Sequence, residues 1–224
     1  MIQVEPVEEP TEFEQRTRAP GRAWLAAKDY VHRSRPQSFW GWCQEPLREA
    51  FHERCGWLAM YVADGHVEHF VSWDECKHDH PELAYEWSNY RYILPRLNSR
   101  KRNLTGLLDP FEVGAGWFRV ELPSLLLVCT DSIPEALRAR AHRTIEVLGL
   151  AGRGDSNVRR LRRRWLQRYR DNHLSLAGLR SVAPLVGDAV ERLLSTAPEA
   201  LTRELLVYRE ELVRDRRRAG GSVP

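Results

Sequence analysis

Apolar positions are sparse over the first forty or so residues, where Trp24, Phe39 and Trp40 stand in an acidic, proline-punctuated stretch. That stretch reads as irregular chain with aromatic anchors for a later core. Pro46 can open a helix at its first position, with Leu47, Ala50, Phe51 and Cys55 on one face and Gly56 ending it. Residues 57–62 then read as a strand. Asp64-Gly65 is the pair a type I′ turn favours, since both central positions need positive φ, and residues 66–70 form the returning strand. Residues 71–82 are polar and read as a loop, and 84–93 are aromatic and extended. Pro95 is placed to start a short helix that carries Asn98, Lys101 and Arg102.

Beyond residue 113 the period is mostly helical. Residues 117–122 and 125–129 have the composition of short strands or buried extended segments. Ser132-Ile133-Pro134-Glu135 has the form of a capping box, and Gly149 closes the helix it opens. Asp155 or Ser156 caps a second helix, with Val158, Leu161, Trp165 and Tyr169 inward. Residues 174–194 give a third helix broken at Pro184. Thr196-Ala197-Pro198-Glu199 is another capping box, opening a helix through Leu201, Leu205, Tyr208 and Leu212. The expected fold class is α+β. The expected boundaries are an irregular segment over 1–42 packing on the core, the core itself over 43–112, a mainly helical region over 113–218, and a flexible tail over 219–224.

Composition narrows the classes. The 224 residues are 42% hydrophobic, enough for a core, and no apolar run approaches the length of a spanning helix. The first fourteen residues carry five glutamates and no basic residue, the reverse of a signal peptide, so a cytoplasmic protein is expected. Cys43, Cys55, Cys76 and Cys129 contain no CxxC pair and are expected to be reduced. The net charge of +3 hides nine arginines between Arg138 and Arg164, set against Glu146 and Asp155. Arg159, Arg160, Arg162, Arg163 and Arg164 are the densest run, readable as a solvated face, a tracker of phosphates or a dock for an acidic partner.

One stretch carries chemistry. Val67-Glu68-His69-Phe70, then Glu86-Trp87-Ser88-Asn89, then Asn98-Ser99-Arg100-Lys101-Arg102-Asn103 set out a strand, a loop and a helix with reactive groups at fixed offsets. Phosphodiester hydrolysis needs an attacking hydroxide, a countercharge for the transition state and protonation of the leaving oxygen. His69 is placed to take the proton of the attacking water. Glu68 and Asn98 are hard oxygen donors suited to Mg²⁺ or Mn²⁺. Asn89 joins the catalytic set as a brace for the backbone behind His69. Lys101 and Arg102 are candidates to hold phosphate oxygens. Because neighbouring strand residues face opposite ways, a bulge or a strand end is needed for Glu68 and His69 to converge. Cys76, His78 and His80 alternate in a polar segment without a fourth partner, and His66 reads as exposed or hydrogen-bonded.

This arrangement, with Leu107-Leu108-Asp109-Pro110 after it, resembles the HNH endonucleases, in particular the PtuB-type nucleases of the Septu anti-phage systems. Weaker similarity at Glu5-Pro6 and residues 143–150 extends the likeness to about two-thirds of the chain. The resemblance implies a ββα-metal core embedded in a mainly helical domain, and a DNA endonuclease with His69 as base. It also implies a partner, an ABC-type or SMC-like ATPase of the PtuA kind in a hetero-oligomer, with no membrane involved. A catalytically silent HNH scaffold binding an ATPase or nucleic acid is the alternative, and a stand-alone restriction or homing-type nuclease a third. Such relatives carry two CxxC pairs that hold a structural zinc. Here those positions are Cys55, Leu58, Leu94 and Leu97, so an apolar plug is expected in place of zinc.

Overall fold

The computed structural model describes residues 1–27, 29–154 and 156–220. The chain divides into two compact units, Gln3–Val113 with Met1, and Gly114 onward with Ile2. Each combines helices with a two-stranded antiparallel sheet, so the fold class is α+β. Among the described residues no helix is long and apolar enough to cross a membrane.

The first unit begins more regularly than its composition suggests. A π-helical turn over Glu14–Arg18 runs into α1 (Ala19–Ala26). The acidic residues there are partners: Arg18 bonds Glu9 at 2.5 Å, Glu14 at 3.1 Å and Glu86 at 2.8 Å. Helix α2 (Gln44–Ala50) stops short of Gly56, because His52 and Glu53 adopt positive φ of 51° and 58°. There follow β1 (His66–His69), α3 (Trp73–Cys76), β2 (Tyr90–Ile93) and α4 (Pro95–Lys101). Pro95 sits in the first turn of α4, where its missing N–H costs nothing.

The hairpin expected from the sequence is not the one formed. β1 pairs with β2, with His66 opposite Ile93, Val67 opposite Tyr92, Glu68 opposite Arg91 and His69 opposite Tyr90. Residues 53–62 instead close on themselves, through a bridge between Arg54 and Tyr61 and bonds from Cys55 N–H to Met60 O (3.1 Å) and Val62 N–H to Glu53 O (2.8 Å). The reason is burial: Trp57, Leu58, Ala59 and Met60 are all inside, whereas a half-buried strand alternates. Neither Asp64 nor Gly65 adopts positive φ. Gly65 is needed for clearance, since a Cβ there would lie 2.3 Å from the Tyr92 ring, whose hydroxyl accepts the Gly65 N–H at 2.8 Å. The extended run over 84–93 is half helical, with 3₁₀ turns over Pro81–Tyr85 and Trp87–Asn89 before β2.

In the second unit β3 (Phe118–Glu121) pairs antiparallel with β4 (Leu126–Cys129). The α-helices α5 (Glu135–Val147), α6 (Asn157–Arg170), α7 (Leu176–Val182), α8 (Pro184–Ser195) and α9 (Arg203–Arg218) follow, with a 3₁₀ turn over Pro198–Ala200 before the last. The break before Pro184 falls at Ala183, whose φ of −149° is non-helical, as a residue preceding proline prefers. Neither expected capping box forms. Pro134 is the N-cap of α5 and makes no side-chain cap, and α9 starts at Arg203 because Thr202 takes the Leu205 N–H. Ser156 caps α6 through the Arg159 N–H, while Asp155 and residues 221–224 of the expected tail lie outside the described residues.

Helix α6 is turned relative to the expected phase. Val158, Arg162, Leu166 and Tyr169 are buried, and Leu161 and Trp165 are only half-buried. The cause is Arg162, whose guanidinium donates to Leu125 O at 3.0 Å and Leu150 O at 2.6 Å. Burial pulls its pKa down to about 10, so the cation is retained at neutral pH, with no carboxylate partner among the described residues. Arg162→Met should therefore lower unfolding free energy by about 2–4 kcal/mol, while Arg163→Met on the exposed side should change it by less than about 0.5 kcal/mol. Urea denaturation of the two variants checks the phase of the helix.

Candidate active site

His69 is the last residue of β1, and its ring is held on three sides. Trp40 meets it edge-on with centroids 4.5 Å apart, and Tyr90, its cross-strand partner, does the same at 5.0 Å. Nε2 lies 2.9 Å from the carbonyl oxygen of Ala84, which also accepts the Tyr90 hydroxyl at 2.8 Å. A carbonyl can only accept, so the neutral ring carries its proton on Nε2 and leaves Nδ1 as the basic nitrogen. Desolvation holds the His69 pKa down at about 4, with the nearby Lys101 charge acting in the same sense and the Ala84 bond opposing. The imidazole is therefore neutral across the physiological range.

Asn89 ties together the backbone around it. Its Oδ1 accepts the Val71 N–H at 2.7 Å, and its Nδ2 donates to Val71 O at 3.0 Å and Leu83 O at 2.9 Å. The same residue's carbonyl accepts the Phe70 N–H at 2.8 Å, extending the ladder one step past β1. Leu83 adjoins Ala84, so the buried amide fixes the segment whose carbonyl orients His69.

Glu68 faces away from His69. The β1–β2 register runs unbroken without a bulge, and the two side chains point to opposite faces of the ribbon. On the Glu68 face lies Lys101 of α4, fully buried, with Nζ 2.6 Å from Glu68 Oε1 and 3.0 Å from both His69 O and Phe70 O. Lys101 is thus no surface phosphate contact. It shares the inward face of α4 with buried Leu97, one turn earlier. Burial pushes the Glu68 carboxyl above its ordinary value, with Lys101 pulling the other way. Arg102, by contrast, is exposed, and its Nε returns to Ser99 O at 3.1 Å. Asn98 is half-buried in the middle of α4.

The same face carries a second buried ion pair. Arg91 grips Asp109 with two bonds, 2.7 Å and 2.5 Å, donates to Ser88 O and Tyr90 O, and lies 3.8 Å over the Phe111 ring. Asp109 also caps the turn Pro110–Glu112. At the expected apolar plug Cys55, Leu58 and Leu97 are buried, Leu94 is half-buried, and Leu58 N–H points at Cys55 Sγ from 3.4 Å. Burial pushes that thiol up, towards the protonated form. Cys76 is buried against Trp73 and Tyr85, while His78 and His80 are exposed, so these three do not converge.

Glu68 and Asn98 are the right donors for a hard divalent ion, and Lys101 engages only one of the Glu68 oxygens. Among the described residues no three His, Cys, Asp or Glu side chains gather as a metal-binding group. Sequence reasoning took Trp40 only as a core anchor and Asp109 only as part of a motif, and it missed the Ala84 carbonyl and the pairing of Arg91 with Asp109. The i, i+4 spacing of Leu97 and Lys101 was a signal for the inward lysine. Comparison of the chain with protein-family models, curated proteins and solved structures returns no match.

Asn89→Ala would strand a buried N–H and two carbonyls, and an unfolding free energy lower by about 2–4 kcal/mol is expected by denaturant titration. His69 makes a pH prediction. Its folded pKa near 4 lies below the ordinary 6.5, so the unfolded chain binds the proton more tightly. The stability this contributes is complete above about pH 6.5 and is lost as pH falls towards 4. His69→Phe should remove that part of the pH dependence, as read from melting temperature between pH 7 and 4.

Proposed function

We propose that this protein is a metal-dependent DNA endonuclease of the HNH type, working as the cytoplasmic effector subunit of an antiviral ATPase–nuclease pair. The observation that carries the reading is the His69 imidazole, oriented by Ala84 O so that Nδ1 is free of its proton. A strand, a bracing loop with Asn89, a second strand and the short helix with Asn98 follow one another in the order that a ββα unit requires. In this reading Nδ1 takes a proton from the attacking water, and the Ala84 carbonyl stabilises the imidazolium that results. Asn89 keeps that carbonyl in place. Glu68 and Asn98 would hold Mg²⁺ or Mn²⁺, which when bound supplies countercharge to the phosphate and protonates the leaving oxygen through its waters; for that ion to share a phosphate with His69, the Glu68 carboxylate must leave Lys101 and turn past the end of β1. Arg102 is exposed and available to a phosphate oxygen. The DNA substrate and the ATPase partner come from the family resemblance.

A second reading has its own support. Glu68 already has a cation in Lys101, and it faces away from His69. Both features suit a catalytically silent HNH scaffold that binds an ATPase or nucleic acid.

Plasmid cleavage separates the two. The chain is assayed in Mg²⁺ or Mn²⁺, alone and with any ATPase that co-purifies. Metal-dependent nicking that falls about 10²–10⁴-fold in His69→Ala is expected. Folded, partner-bound protein that cuts under none of these conditions would leave the scaffold.

A further inference from the structure

Three oxygens converge on the Lys101 ammonium: Glu68 Oε1 at 2.6 Å, His69 O at 3.0 Å and Phe70 O at 3.0 Å. Lys101 has no solvent exposure and Glu68 is 7% exposed. Three acceptors saturate the three N–H groups of an ammonium, so the contact is a complete coordination shell. We infer that these oxygens form a cation site which the chain fills with its own side chain, making Lys101 a tethered competitor that restrains divalent metal loading at Glu68. The inference rests on the metal-dependent reading of the site and names how that site is regulated.

Lys101 and a metal ion would compete through charge. A divalent ion bound to Glu68 must either take Oε1 from the ammonium or use Oε2 within a few ångströms of it. Like charges at such separations in a poorly solvated pocket repel strongly. Tethering adds to the effect, because α4 presents the ammonium at a local concentration that no free ion matches. Lys101 also holds two consecutive carbonyls at the end of β1, so displacing it loosens the backbone that carries His69. Metal loading is then coupled to the position of α4.

The test is Mn²⁺ binding to the full chain, read by electron paramagnetic resonance of the free ion, without nucleic acid. Lys101→Met removes the charge at nearly constant volume. Lys101→Gln, which keeps a hydrogen-bond donor, is the second variant should the first fail to melt cooperatively. Affinity at least about tenfold tighter than wild type is expected, and adding Glu68→Gln to either variant should abolish the gain. If wild type binds Mn²⁺ and both variants bind equally or more weakly, the inference is overturned and the nuclease reading stands. Binding by the variants but not by wild type supports the inference and overturns the nuclease reading for the resting chain. No binding by any form overturns both.

Discussion

Antiparallel pairing of β1 with β2 forces Glu68 and His69 to opposite faces, and most of the first unit follows from how each face is satisfied. On one side an imidazole is wedged among Trp40, Tyr90 and a backbone carbonyl. On the other, two ion pairs, Glu68–Lys101 and Asp109–Arg91, are buried, with Lys101 5.9 Å and Arg91 5.4 Å from the Phe70 ring. Neither face could change its occupant without shifting the ribbon, because each strand residue serves one face only.

Buried cations on backbone carbonyls recur as fasteners in both units. Lys101 joins α4 to the end of β1, and Arg91 holds the turn before β2. In the second unit Arg162 draws in Leu125 and Leu150, and Arg216 of α9 donates to Tyr169 O at 2.5 Å and Leu174 O at 2.9 Å. A long side chain can reach carbonyls that a helix end or tight turn leaves unpaired. Once seated, removing its charge strands those acceptors. The arginine richness of this chain therefore has a structural component.

The sequence disclosed local features better than partnerships. Pro95, Pro184 and Gly149 marked helix boundaries through backbone rules that hold anywhere, and β3 and β4 followed from their apolar composition. Which strand would meet β1 depended on a contact across some twenty residues, and good turn residues at Asp64-Gly65 pointed to the wrong neighbour. Gly65 answered to the Tyr92 ring, which no local rule sees. The charged residues misled for a related reason: solvent is the default for lysine and arginine, and Lys101 and Arg162 depart from it because carbonyls happen to converge where they reach. Of the candidate site, the residue types on the strand and helix were legible, while the direction each side chain faces was not.

The carbonyl that orients His69 belongs to the main chain of Ala84, and so it has no side chain to delete. Its position is set by the path of the 3₁₀ turn over Pro81–Tyr85 and by the amide of Asn89. The imidazole is consequently tuned from a distance: residues that never touch it decide which of its nitrogens is basic. Because the Ala84 bond opposes the desolvation of the ring, variation that moves that carbonyl would change the proton affinity of His69. A scan limited to residues in side-chain contact with the ring would overlook the segment that controls it.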